Sequence, residues 1–521
     1  MSTASAVDAH LSLPVLDSHD IASSESDEPP NSERDDPPSH SPRHPIWRDV
    51  PDHLWHDWRW QSQHAIRTVD QLIELLPFSD GEIADLRRLS DQYKLAVPPY
   101  YFSLIDPDDP DDPIRLQSVA SPLELRSEAG LEEDDPLDED KDSPVRGLTQ
   151  RYPDRVLMVT THVCTMYCRF CTRKRATMKR GGWDAISRDD KRMIDYLRQH
   201  KEINDVIVSG GDPLTLPIAK LEYFLQNLAA IDHVSVIRLG TRVPVTLPQR
   251  LYDPELIRVI ERAEKVWIQT HFNHPREVTP EAAHVCRRLL RAGCQLNNHA
   301  VLLKGVNDSV QTMRDLSRAL LRIKVRPYYL FHCDPVTGAG HFRTSVWKGL
   351  EIIEGLRGHI SGLGVPTYVV DAPRGGGKIP LMPNYLVSAS NDAVVLRNYE
   401  GMLVRYSPDG HAETDSPPLA TQGVSALLAG QREVLMPAGT PRMERRRSIE
   451  AATNSRSEPA MKSNGACAPS SPTNGRARGN GNGLNHATLA ASVDPVASAL
   501  SASLNSHKKP RPGLRRKKTA V

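Results

Sequence analysis

Seven short runs rich in β-branched and aromatic residues constrain this chain more than any other feature: 155–162, 205–210, 234–240, 265–272, 295–303, 326–332 and 366–372. Amphipathic stretches separate most of them, such as EAAHVCRRLLRAG at 281–293. Strand–helix alternation at this spacing predicts parallel β-strands joined by crossover helices. Six or more such units predict an α/β barrel, complete or partial, rather than an open sheet. In parallel barrels, chemistry gathers at the C-terminal ends of the strands. The unusual polar residues fall at those ends. Cys164, Cys168 and Cys171 follow the first run, and Ser209, Gly210, Gly211 and Asp212 close the second. His271 ends the fourth, Asp334 follows the sixth and Asp371 ends the seventh.

The flanks predict different behaviour. Residues 1–45 are rich in Ser, Pro, Asp and Glu and read as a disordered acidic tail. Residues 46–150 read as a helical region, with Trp55 and Trp58 as core aromatics, followed from 105 by an acidic, Pro-rich wrap. The barrel is expected over 151–375 and a closing segment over 376–434. Residues 435–521 read as a second disordered tail, whose basic run at 508–518 is a solvated end. Formal net charge is zero, so no global pull toward nucleic acid or membrane is expected. No apolar run is long enough to span a bilayer, and no signal peptide is visible, so a cytoplasmic location is expected.

The chain has seven cysteines, and three of them sit together as Cys164-Thr-Met-Tyr-Cys168-Arg-Phe-Cys171. A structural zinc site closes with four ligands, and no fourth is evident. Cys286 and Cys294 fall on or beside an amphipathic stretch and read as small core residues. An iron–sulfur cluster normally takes four cysteines. Three would leave one iron open, as S-adenosylmethionine (SAM) requires for chelation. The bases Arg169, Arg173, Lys174 and Arg175 are expected to favour thiolates. The glycines at 210–211 would let backbone approach SAM closely.

A second unusual segment runs Asp371-Ala-Pro-Arg-Gly-Gly-Gly-Lys378-Ile379. It is not a phosphate-binding P-loop, because Ile379 replaces the required Ser or Thr. A lysine on a glycine loop suits covalent attachment of a carbonyl cofactor such as pyridoxal phosphate (PLP).

With these two segments, RYPDRVL, CTMYCRFCTRKR, VSGGDPL, THFNHPREVT, LKGVND, CDPVTGAGHFRT and MPNYLVS resemble the lysine 2,3-aminomutase family over about residues 46–407. The resemblance implies a partial (βα)6 TIM-like radical SAM barrel carrying a [4Fe-4S] cluster, SAM and PLP. It implies Lys378 as the PLP lysine, and Arg151, Tyr152 and Arg155 around PLP. It implies Ser209–Asp212 and His271 near SAM, and Arg173 on the substrate carboxylate. Asp334 and Asp371 would hold the distal ammonium of lysine. A reductant such as flavodoxin or ferredoxin and a homo-oligomer are implied partners.

Departures from the family pattern are also visible. Ser309 stands where some members have a zinc cysteine, and none lies between Cys333 and Cys467, so no structural zinc is expected. His299 follows Asn298 where Gln is frequent, and Arg374 stands where Gly is usual. The alternatives are the same chemistry on ornithine, arginine or protein-bound lysine, a radical SAM enzyme without PLP, and a zinc or iron–sulfur binding module.

Overall fold

The computed structural model describes residues 41–126, 132–180, 189–389, 393–406, 429, 431 and 441–457. Its centre is a nine-stranded sheet in sequence order: β1 (Leu148–Thr149), β2 (Arg155–Thr161), β3 (Asp205–Gly210), β4 (Val236–Gly240), β5 (Val266–Thr270), β6 (Gln295–Leu302), β7 (Arg326–His332), β8 (Thr367–Ala372) and β9 (Gly377–Pro380). Strands β2 to β8 are mutually parallel, whereas β1 and β9 pair antiparallel at the two edges. Each of the seven expected runs is one of the parallel strands, joined by six crossovers. This is a partial parallel α/β barrel, as the strand–helix alternation predicted.

Burial explains why those strands read as apolar. Along β3, Val206 and Val208 are fully buried while Ile207 and Ser209 are only part-buried. One face packs on helices and the other lines the barrel interior, as period-two alternation requires. Capping side chains start the crossover helices. Thr279 accepts from Ala282 N before Pro280–Arg291, and Ser309 accepts from Thr312 N before Val310–Arg322. Ser309, where a zinc cysteine was sought in the sequence, is thus an N-cap.

Two expectations about the flanks need correction. Residues 441–457, placed in the C-terminal tail, form a helix, Pro441–Ser457. Arg442 and Arg446 of that helix bond the buried Asp142 carboxylate, and Arg445 donates to Gln150 O beside β1. Its pattern is polar, so composition hid what the arginines do. The N-terminal tail also ends earlier than expected, because Ser41 donates from N and Oγ to Glu281 at 2.7 and 2.6 Å. Tail residues 1–40, 435–440 and 458–521 lie outside the described residues.

The boundary expected at 375/376 cuts a hairpin, since β8 and β9 pair directly. Beyond it, β10 (Leu386–Ala389), β11 (Val394–Arg397) and β12 (Leu403–Tyr406) form a separate antiparallel sheet. Among the described residues no helix is long and apolar enough to cross a membrane.

Candidate active site

The two motif loops after β2 and β3 are stitched to each other by backbone. Gly211 N donates to Thr161 O and Asp212 N to Val163 O, at 2.6 and 2.9 Å. A Cβ on Gly210 would meet Thr161 O at 2.5 Å, and one on Gly211 would meet Val163 O at 2.4 Å. Only glycine allows this approach, and φ at Gly210 is +113°. The Asp212 carboxylate is spent inside the protein. It accepts from Leu214 N, Arg242 N and Thr241 Oγ1 at 2.7–3.0 Å.

The cysteine thiols act on one another. Burial, then Cys171, Asp212 and Cys168, push the Cys164 thiol well up, and burial with Cys168 raises Cys171. Three mutually repelling cysteines, with Arg169 and Lys174 turned onto a carboxylate, suit a centre that itself supplies positive charge. Among the described residues no three His, Cys, Asp or Glu side chains could hold one metal ion. An iron–sulfur cluster asks for wider spacing, because each cysteine binds a different iron.

Of the flanking bases, Arg173 favours the Cys171 thiolate as expected, but all four make their ion pairs with carboxylates. Arg169 and Lys174 are buried on Glu124, at 2.7 and 2.6 Å. Burial alone would raise Glu124, but these two cations hold it down at about 2. Arg175 pairs with Asp135 and Asp140, and Arg173 forks onto Glu139 through Nε and Nη2 at 3.2 and 2.8 Å. The guanidinium that reaches a cysteine is Arg242, from the end of β4, whose Nη1 lies 2.8 Å from Cys168 Sγ. No motif in the sequence marked it.

Deeper in the barrel, His271 stacks on Phe170 and meets His299 edge-on, with ring centroids 5.5 and 5.0 Å apart. Burial, then His299 and Arg242, drive His271 well below the ordinary histidine value. Burial, then Lys378 and three arginines, take His299 to about 4. Both rings are therefore neutral at pH 7 and add no positive charge to the interior.

On the other side of the mouth, antiparallel pairing sets Asp371 directly opposite Lys378. Their Oδ2 and Nζ are 3.3 Å apart. Lys378 N donates to Tyr152 Oη at 2.8 Å, and Nζ lies 5.5 Å from the Phe331 ring and 5.9 Å from that of Tyr152. Arg155 covers the Tyr152 ring at 4.6 Å. Arg151 reaches Asp142 at 3.2 Å and stands 3.8 Å from Asp371 Oδ1. That oxygen is buried and lacks a hydrogen bond. Asp334 accepts from Thr172 Oγ1 at 2.7 Å. Burial chiefly, with Asp371 nearby, raises its carboxyl to about 7, against the Thr172 bond and Lys378. Asp371, Lys378, Arg151 and Tyr152 are thus brought together, with Asp334 in electrostatic reach. Arg173 faces Glu139, which sequence reasoning missed because it sits in the acidic wrap.

That wrap is a strap of ion pairs. Asp134 holds Lys179, Glu133 holds Arg374 and Asp142 holds Arg151, Arg442 and Arg446. Arg374 takes φ +57° and turns outward to Glu133, while its N donates to Pro136 O.

Comparison with known proteins follows the same two halves. A family model described as the Radical SAM superfamily matches residues 158–316, and one described as Lysine-2,3-aminomutase matches 353–464. The L-lysine 2,3-aminomutase of Clostridium subterminale is 46% identical over 411 residues, covering 77% of this chain and 98% of that protein. The Bacillus subtilis L-lysine 2,3-aminomutase is 45% identical over 415 residues, 77% of this chain and 87% of its own. A glutamate 2,3-aminomutase of Clostridioides difficile is 44% identical over 353 residues, 67% of this chain and 82% of its own.

Proposed function

The chain belongs to the lysine 2,3-aminomutase family of radical SAM enzymes, and from that premise we propose that it moves the α-amino group of L-lysine from carbon 2 to carbon 3, giving β-lysine. It is an isomerase whose cofactors include a [4Fe-4S] cluster and SAM. Within the proposal, Cys164, Cys168 and Cys171 hold the cluster and Lys378 carries PLP. When bound, the cluster with SAM supplies a carbon radical that takes a substrate hydrogen, and PLP supplies a covalent hold for the migrating nitrogen.

The chain's own residues bind and orient. The observation that carries the choice of lysine is the buried, unbonded Asp371 Oδ1 beside the high-pKa Asp334. Asp371 makes ionisation of Asp334 costlier, Lys378 offsets only part of that cost, and a further cation would remove the rest. A distal ammonium supplies the cation, whereas a distal carboxylate would add a third negative charge. Overall identity does not separate the two substrates, because a glutamate 2,3-aminomutase is 44% identical. Arg173 binds the substrate carboxylate through Nη1, which the Glu139 fork does not use. Tyr152, by fixing Lys378 N, orients the lysine loop. A flavodoxin- or ferredoxin-class reductant, a homo-oligomeric assembly and a cytoplasmic location complete the proposal.

The cofactor assignment is tested on the anaerobically reconstituted protein. Borohydride treatment followed by peptide mass mapping should fix one pyridoxyl group on Lys378. A label on another lysine, or none with cluster absorption intact, would overturn the PLP assignment.

A further inference from the structure

Arg242 is buried at the end of β4 and is held from every side. Its backbone N donates to Asp212 Oδ2 at 2.7 Å. Nε donates to His271 O at 3.1 Å. Nη2 reaches Gln117 Oε1, Glu277 Oε1 and Tyr101 Oη at 2.6, 2.8 and 3.3 Å. Glu277 is itself locked, because its Oε2 accepts from Asn273 N and His274 N. The Phe170 ring lies 5.4 Å from the guanidinium carbon. With Nε and Nη2 so fixed, the planar fork aims Nη1 at Cys168 Sγ, 2.8 Å away. Glu277 needs only Nη2, so the fold alone gives no reason for the sulfur contact. Arg169, Arg173, Lys174 and Arg175, the bases closest in sequence, are bonded to carboxylates instead.

Hydrogen bonds to ligand sulfurs and nearby cations raise the potential of an iron–sulfur centre, because one-electron reduction adds negative charge to it. We propose that Arg242 is a positioning residue for the iron–sulfur centre, whose hydrogen bond to Cys168 Sγ raises the potential at which that centre accepts an electron. The inference rests on the reading of Cys164, Cys168 and Cys171 as the cluster ligands. The electron comes from a low-potential one-electron reductant, and no bond is made or broken in the transfer itself.

The test is a reductive titration of the reconstituted full chain, followed by electron paramagnetic resonance, with iron and sulfide assayed in the same samples. Arg242→Met combined with Glu277→Gln removes both buried charges together, which avoids stranding the glutamate. At fixed potential the double variant should hold at least tenfold less reduced centre relative to oxidised, about 59 mV for one electron. Arg242→Lys, which keeps the charge without the fork, should shift less in the same direction. A double variant with full iron and a ratio within about threefold of the parent overturns the proposal. Should the double variant bind no iron, Arg242→Lys decides, and a potential equal to the parent's overturns it. Loss of the centre from both variants with the fold intact by circular dichroism also overturns it, since Arg242 would then serve retention. A parent chain that binds no iron defeats the cysteine reading instead.

Discussion

Around Cys168, buried polar groups are matched within the chain. Arg242 meets Glu277, Gln117 and a sulfur, and Asp212 takes two backbone N–H groups and a hydroxyl. Around Lys378 the matching is incomplete. Asp371 Oδ1 has no hydrogen bond, and Asp334 keeps its proton up to about pH 7. Apart from the cysteine thiols, the first region has its charged groups paired within the chain. In the second, Lys378 and Arg151 stand beside Asp371 yet Asp334 stays raised, and under the proposed function a ligand cation completes the balance. A site built to receive a charged group carries its unpaired atoms where that group will sit.

Removing one carboxylate should break this contrast most severely. Asp371→Asn should lower kcat/KM for lysine about 100-fold or more, since stripping one member of a buried charge pair costs ~2–5 kcal/mol. SAM affinity, measured by equilibrium binding, should change less than about threefold. Equal losses in both would mean that the two regions are not independent.

Asp334 gives the next largest effect, through pH. Its carboxyl is raised from 3.8 to about 7 in the folded chain. Between those values the folded protein keeps a proton that the unfolded chain has released. Stability from this group is therefore full below pH 4 and is lost as pH rises toward 7, by up to about 1.4 kcal/mol per unit. Urea unfolding at pH 5, 6 and 7 should show that decline in the parent relative to Asp334→Asn. Lysine should bind more tightly above pH 7, where the Asp334 carboxyl is ionised, and the variant should lack that rise.

The smallest effect concerns the C-terminal helix. Arg446→Ala leaves Asp142 with Arg151 and Arg442. A loss of about 1 kcal/mol, read as about a fivefold rise in lysine KM, is expected because Arg151 also stands beside Asp371. Arg446→Lys should restore most of it.

The barrel was legible because parallel strands are buried on one face and part-buried on the other, which leaves continuous apolar runs ended by polar residues. The cysteine spacing and the Asp371–Lys378 segment were legible because each lies on one loop or hairpin. What escaped was assembled from distant segments. Arg242 reaches Cys168 across 74 positions, and Arg446 reaches Asp142 across 304. Sequence proximity was misleading as well. Arg169 and Lys174 flank the cysteines yet face Glu124, because the loop turns them into a buried ion-pair cluster. The acidic wrap read as a linker because its partners are spread from Arg151 to Arg446.

The central claim is that the unfinished region around Lys378 is shaped for a distal cation. Anaerobic incubation of the fully reconstituted protein with lysine, ornithine, arginine and glutamate, each with product analysis, tests it most directly. β-Lysine is expected as the main product, with glutamate turned over at least about 100-fold less efficiently by kcat/KM. Glutamate turnover equal to or above that of lysine, or no lysine product from protein carrying cluster, SAM and PLP, would contradict it.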